Sequence, residues 1–374
     1  MRRRVSRFVA ALVAAVAVAA AAGCGTKFEL PTESPRSGTP GQDTYFVKYR
    51  WGGFEGATDI LMTRGGRVFI AEPRPGSSDS LRVRGYIRSK KDPTPTGVEL
   101  AGLGKPIRLA EGVGGEVFVL DAAQPPSVKH YSNGGGALLG TFLDPAWTDA
   151  VNDTTRPPNS RTVRVKNSRV ILRGLAADDE SDVYVSWTDS TFLTDRDRID
   201  TTIVRQSTVV GDTIRKYSSD GVPLLDIATR GTGTGFVDGP GGLAAAGGAL
   251  FLTDVHKDWV QKVDATFASR PLLVLDGSDV DTLPGFLAPL DVATDDSGSI
   301  YVADTGKARV LKFDADGRFD QRVDIFTPDA GGPTTTTEPI AVTANAELVL
   351  VLDRVLGIVL TYELRNSLDG AGER

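Results

Sequence analysis

Residues 289–317 read PLDVATDDSGSIYVADTGKARVLKFDADG, and the stretch holds six aspartates. Asp314–Gly317, DADG, has the alternating carboxylates with which a calcium loop points its oxygens at one cation. The competing reading is a tight turn. The choice depends on whether the stretch is unique in the chain or one copy of a repeat.

It is a repeat. GSIYVADTGKARVLKFDADG divides into an alternating strand, a short turn, a second alternating strand and a Gly turn. Five other places follow the same plan: GRVFIAE with LRVRGY, GEVFVLD with SVKHYSNGG, SDVYVSW with TIRKYSSDG, GALFLTD with WVQKVDA, and ELVLVLD with GIVLTYE. Their anchors, Phe69, Phe118, Tyr184, Phe251, Tyr301 and Leu350, are spaced by 49, 66, 67, 50 and 49 residues. A small apolar segment precedes each pair (ATDIL, PIRLA, RGLAA, GGLAA, PLDVA, PIAVT). Three strands and a connecting fourth, at roughly 45 to 50 residues per unit, are the period of a β-propeller blade. Six units therefore predict an all-β, six-bladed β-propeller over residues 44–366, with a disordered tail at 367–374. After TYELRN (361–366) too little chain remains for a fourth strand, while TYFVKYRW (44–51) has no unit of its own. This N-terminal strand is expected to pair onto the last blade and close the ring, leaving no open edge at the joint.

These residues carry a family resemblance. The opening stretch and GTGTGFVDGPGGLAAAGGALFLTD (231–254) resemble NHL repeats, which run from a Gly-rich lead through PxG or PxD, an apolar strand, YVAD, RV and FDxxG. The resemblance is fainter in the units around Phe118 and Leu350 and faintest around Phe69 and Tyr184. GTGTG is then a connection between blades and not a dinucleotide fingerprint, since no strand leads into it and no helix follows.

In a propeller the turns between second and third strands share a face with the connections between blades, and loops on a rigid scaffold carry function. The residues opening those turns are Glu72, Asp121, Trp187, Asp254, Asp304 and Asp353. Such an acidic rim can attract a cation or a basic peptide. The resemblance implies instead that each acid caps its own turn and pairs with an arginine, as Asp304 with Arg309 and Glu72 with Arg82. Asp121, Asp254 and Asp353 meet Ser127, Trp259 and Ile358 at the arginine position. On the inner strands, Asp59, Arg108 and Asp291 align, with Arg173 close by; charges near the axis pair with each other or hold water and ligand.

If a metal is bound, Asp59, Asp291 and Glu55 are the candidates. Glu55 in FEGATD is loosely similar to the first-blade glutamate of the calcium-dependent gluconolactonase and senescence-marker propellers, although the proline that follows it there is missing. Of two histidines, His256 is expected on the rim and His130 in ordinary surface or packing, too few for the zinc site of the peptidylglycine amidating lyases. No GxSxG elbow points to a serine hydrolase.

Two insertions break the period. One includes DPAWTDAVNDTTRPPNSRTVRVKNS (144–168); the other, DSTFLTDRDRIDTTIVRQSTVVGD (189–212), expands a turn of the third blade. Both fall on the same expected face, where they either cap the rim, offering Trp147, Trp187, Phe192, Arg196 and Arg198 to a ligand, or form a solvated hairpin.

The N-terminal segment is an address. MRRRVSR, an apolar run and AAGC resemble a lipoprotein signal peptide (1–23) with its lipobox, which implies a lipidated Cys24 as a membrane anchor. Residues 24–43, rich in Pro, Gly, Ser and Thr, suit a flexible stalk. Gly25, not Asp, follows the cysteine, which resembles an outer-membrane address in a diderm bacterium. Cys24 is the single cysteine, so an extracytoplasmic domain has no disulfide to rely on. Removing the signal segment's four arginines takes the net charge from −6 to −10, with 38 bases against 48 acids, which argues against a nucleic-acid partner. The expected function is a non-catalytic ligand- or protein-binding scaffold of the cell envelope. It is expected to be a monomer with no cofactor and with an envelope protein, peptide or glycan as partner; a calcium-dependent hydrolase of the gluconolactonase type is the alternative.

Overall fold

The computed structural model describes residues 43–77, 80–156, 160–278, 285–323 and 338–366. The signal segment, Cys24, the stalk up to residue 42 and the tail from 367 lie outside the described residues.

Six antiparallel sheets follow one another along the chain. Blade 1 comprises Asp59–Met62, Arg67–Pro73, Leu81–Ile87 and Pro95–Glu99; blade 2, Pro106–Glu111, Val117–Asp121, Ser127–Tyr131 and Leu138–Phe142. Blade 3 comprises Thr162–Ala177, Val183–Asp197, Ile203–Tyr217 and Pro223–Thr229, with the short Asp153–Thr155 added beside its first strand. Blade 4 comprises Pro240–Ala246, Ala249–Asp254, Trp259–Asp264 and Pro271–Leu275; blade 5, Pro289–Thr294, Ile300–Asp304, Arg309–Phe313 and Phe319–Arg322. Blade 6 takes Pro339–Ala344, Leu348–Asp353 and Ile358–Asn366 from the C-terminal end, and its outer strand, Asp43–Gly52, from the N-terminal end. Each first strand packs beside that of the next blade, and the sixth beside the first, so the ring of six blades closes as the sequence predicts.

Burial explains the strand compositions. The second strands lie mid-blade with a neighbouring blade against each face, so Ile300–Asp304, Leu348–Asp353 and Ala249–Asp254 are buried at every position. Near-continuous apolar runs follow from cover on both faces. The anchors Phe69, Phe118, Tyr184, Phe251, Tyr301 and Leu350 are all buried. First strands converge on the axis and use small residues. A Cβ on Gly174 would stand 2.5 Å from the Gly241 carbonyl oxygen of the next blade, and one on Gly242 would stand 2.1 Å from Asp291 Oδ1.

The six aspartates of the opening stretch now have places. Asp314 Oδ1 accepts the amides of Asp316 (3.0 Å) and Arg318 (2.8 Å), and Gly317 takes φ +82, so DADG is a turn that needs its glycine in the left-handed region. Asp295 caps DDSG likewise, accepting from the amides of Ser297 and Ser299 and from the Tyr301 hydroxyl. Asp296 is exposed, and Asp316 pairs loosely with Arg318 in solvent. Asp304 and Asp291 belong to the rim and the channel.

Candidate functional site

The rim carboxylates open the turns after the second strands, as expected, but they point into the protein. Asp121, Asp254, Asp304 and Asp353 are at most 1% exposed and Glu72 is 5% exposed. Each aspartate accepts backbone amides from the connection leading into its own blade: Gly104 and Lys105 for Asp121, Asp238 for Asp254, Leu287 for Asp304 and Glu338 for Asp353. Asp121, Asp254 and Asp353 also accept an amide of the turn they open, from Ala123, Lys257 and Leu356. An acid in this place therefore ties two loops that would otherwise leave amides unpaired.

Both expected ion pairs form, with Arg309 Nε 2.6 Å from Asp304 Oδ2 and Arg82 Nε 2.9 Å from Glu72 Oε1. For Asp121 and Asp254 the cations are Lys129 (2.6 Å) and Lys257 (3.5 Å). Lys129 lies two positions beyond Ser127 on the same strand, so the period-two alternation carried a signal for it. In blade 3, where Trp187 stands at the acid position, Asp212 on the neighbouring strand accepts from Thr188 Oγ1 and the Gly239 amide and pairs with Arg230. Nothing in the single-strand motif marks that exchange.

The aromatic candidates divide. Trp147 and Trp187 are 1% and 4% exposed and pack against each other and against Tyr217, with the Arg215 guanidinium over the Trp187 ring. They form the core of blade 3 and are not presented to a ligand. Phe192 is 47% exposed, and Arg196 and Arg198 lie exposed near the tip of the insertion. The two insertions join into one antiparallel arm: Thr162–Leu172 pairs with Trp187–Asp197, which pairs with Ile203–Thr213. His256 is exposed with Nδ1 3.0 Å from Asp238 Oδ1, whereas His130 stacks on Phe118 at 4.2 Å.

The channel charges do come together. A cavity of about 670 Å³ runs along the inner strands and is lined by Asp59, Arg108 and Asp291 near the strand starts, by Glu111 at a strand end and by Arg64, Asp179 and Asp296 at the turns after the first strands. Its outer end therefore lies on the face opposite the acidic rim and the arm. Asp295 and Lys262 complete the charged lining, giving six acids against three bases.

Asp59 Oδ2 accepts the Leu109 amide at 2.6 Å and Asp291 Oδ2 accepts the Val342 amide at 2.8 Å, so each fastens its strand to that of the next blade. Asp59 Oδ1 stands 3.7 Å from Arg108 Nη1, beyond a hydrogen bond. The amides of Ile60 and Val292, each next along the chain, also support the charges of Asp59 and Asp291. Arg108 is held by the carbonyl oxygens of Arg173 and Thr58. Burial pushes the Asp59 carboxyl up to about 7, with Arg108 opposing and the Asp291 charge adding; burial pushes Asp291 up to about 6 against the pull of Arg108. Burial lowers Arg173, whose charge Asp212 supports and Arg108 opposes. Glu55 is not part of this group: it lines a separate surface pocket with Glu72, Arg82 and Tyr86.

Comparison with known proteins gives one local and two global likenesses. The NHL repeat profile matches residues 286–313, the second half of which is the Ile300–Phe313 hairpin. No curated protein sequence matches the chain. Among solved structures, a catalytically inactive virginiamycin B lyase from Staphylococcus aureus, with quinupristin, is similar at 11% identity and a TM-score of 0.48, covering 87% of this chain and 99% of that one. A streptogramin B lyase is similar at 12% identity and a TM-score of 0.49, covering 86% and 98%. The chain is a six-bladed β-propeller that carries an NHL repeat.

Proposed function

We propose that the protein is a non-catalytic binding module of the cell envelope, held to the membrane by lipid on Cys24, that takes a small cationic ligand into its central channel. One observation carries this reading: two buried carboxylates on the channel wall, Asp59 and Asp291, each use one oxygen to hold a neighbouring strand and share the single guanidinium of Arg108 as counter-charge. Two acids against one base are an excess that burial meets by holding protons on the carboxyls, and an incoming ammonium group takes the place of those protons. The acidic excess at the mouth draws cations toward it. The rim supports the non-catalytic part, because its carboxylates are already committed to loop amides and to Arg82, Lys129, Lys257 and Arg309. The basic and apolar leader ending in AAGC supports the envelope address.

The second reading, a calcium-dependent hydrolase, draws on the same two carboxylates. Arg108 beside Asp59 and the separate position of Glu55 weigh against it.

Thermal unfolding in the presence of 1,4-diaminobutane, choline or calcium chloride tests both. Stabilisation by an organic cation, lost in Asp291→Asn, supports the binding module. Stabilisation by calcium alone moves the assignment to the hydrolase reading. No stabilisation by any of the three removes the cationic ligand.

A further inference from the structure

The arm of blade 3 has two edges of different character. One is Asp153–Thr155, three residues long, followed in sequence by Arg156, Pro157 and Pro158. Short length, charge and proline are how edges are kept from pairing. The other is the outer half of Ile203–Tyr217. The last strand of the blade, Pro223–Thr229, pairs with it only over Thr213–Tyr217, so Ile203–Asp212 has a strand partner on one side only among the described residues. This edge carries no proline and one charged residue, Arg205, between Ile203 and Gly211. Ile203, Val204, Val209 and Val210 are 54%, 59%, 56% and 38% exposed. A β-branched, solvent-facing edge of this length is a template for another strand.

We propose that this edge pairs with the same edge of a second copy of the chain, antiparallel, about a two-fold axis at Ser207. Antiparallel partners in one sheet must point to the same face, so residues paired across such an axis lie an even number of positions apart. Centring on Ser207 sets Arg205 opposite Val209, Gln206 opposite Thr208 and Ser207 opposite its own copy. Polar meets polar at and beside the centre, the Arg205 stem covers Val209, and no like charges face each other. The register shift at the tip makes Val204 the extra residue of this edge, between Arg205 opposite Asp195 and Ile203 opposite Arg196, so the regular stretch used for pairing is Arg205–Val209. The contact is isologous, so it closes at two copies and does not propagate. Five residues of strand span about 17 Å, an interface at or below the small end of the specific range, so association is weak and concentration-dependent. The proposed contact is independent of the channel ligand and differs from the monomer expected from the sequence.

The test uses the full chain carrying Cys24→Ser, in which any introduced cysteine is the only thiol. Sedimentation is expected to show a mass that doubles with concentration and a dimer that is lost in Val209→Lys, which sets Lys against Arg205 twice while substituting an exposed side chain. Ser207→Cys is expected to oxidise to a disulfide dimer, whereas Val151→Cys, at a 74% exposed position outside this edge, stays largely monomeric. A chain that is monomeric at every concentration, with Ser207→Cys oxidising no faster than Val151→Cys, overturns the proposal. So does a dimer that Val209→Lys leaves intact.

Discussion

The Tyr45 hydroxyl lies 2.9 Å from that of Tyr301, across 256 positions of sequence. Tyr45 belongs to the strand that completes blade 6 from the N-terminal end, and Tyr301 to the second strand of blade 5, where its hydroxyl also donates to Asp295. Burial is the main reason that both phenols are raised. The ring is thus fastened at its closing joint by side chains as well as by strand pairing. Tyr45→Phe is expected to cost about 1 kcal/mol, the worth of one buried hydrogen bond. Tyr45→Ala should cost about 3 to 5 kcal/mol, as truncation of a buried aromatic does. Denaturant unfolding checks both.

Arg309 is 1% exposed beside the fully buried Asp304. Removing its cation leaves a buried charge without its partner, so Arg309→Ala is expected to destabilise by about 3 to 5 kcal/mol. The exposed pair Arg318 and Asp316 should give no measurable change when Arg318 is replaced by Ala. Comparing the two melting temperatures checks the contrast.

The channel carboxylates set a pH dependence of unusual sign for acids. Asp59 and Asp291 are raised from 3.8 to about 7 and about 6, so between these limits the folded protein binds more protons than the unfolded chain. Their contribution is present at low pH and lost as pH rises through about 7. In Asp59→Asn the melting temperature relative to the unsubstituted protein is expected to rise from pH 4 to pH 8. A difference that stays flat or falls would show that the Asp59 carboxyl is not raised in the folded protein.

None of the residues Phe192–Thr208 belongs to a core cluster. Replacing that span by Asn-Gly, a two-residue hairpin turn, is expected to leave the thermal unfolding of the propeller nearly unchanged while abolishing any self-association. Circular dichroism and sedimentation on one sample check the two halves together.

The fold was legible because each blade repeats one physical problem: a second strand covered on both faces needs an apolar run, and the turn after it needs an acid for its loop amides. Six copies made the period visible even where the wording of the NHL motif faded. The ring closure followed from counting strands at the two ends. The site was less legible. Asp59, Arg108 and Asp291 could be aligned by position, but their meeting depends on how blades pack across the axis, which no single repeat encodes. Trp147 and Trp187 read as exposed aromatics because both lie at or next to insertions. The structure turns them inward, where Tyr217 and Arg215 complete their packing. Lys129 was missed by looking for arginine at one fixed position, while the strand supplied its cation two residues later.

The most direct test of the channel reading is calorimetric titration of the protein with 1,4-diaminobutane at pH 6.5, run in two buffers of different ionisation enthalpy. Binding a cation between Asp59 and Asp291 must drive off the protons that burial holds there. Saturable binding with proton release is therefore expected, with loss of both in Asp291→Asn. Binding with no proton exchange, or with the same affinity in Asp291→Asn, would contradict it.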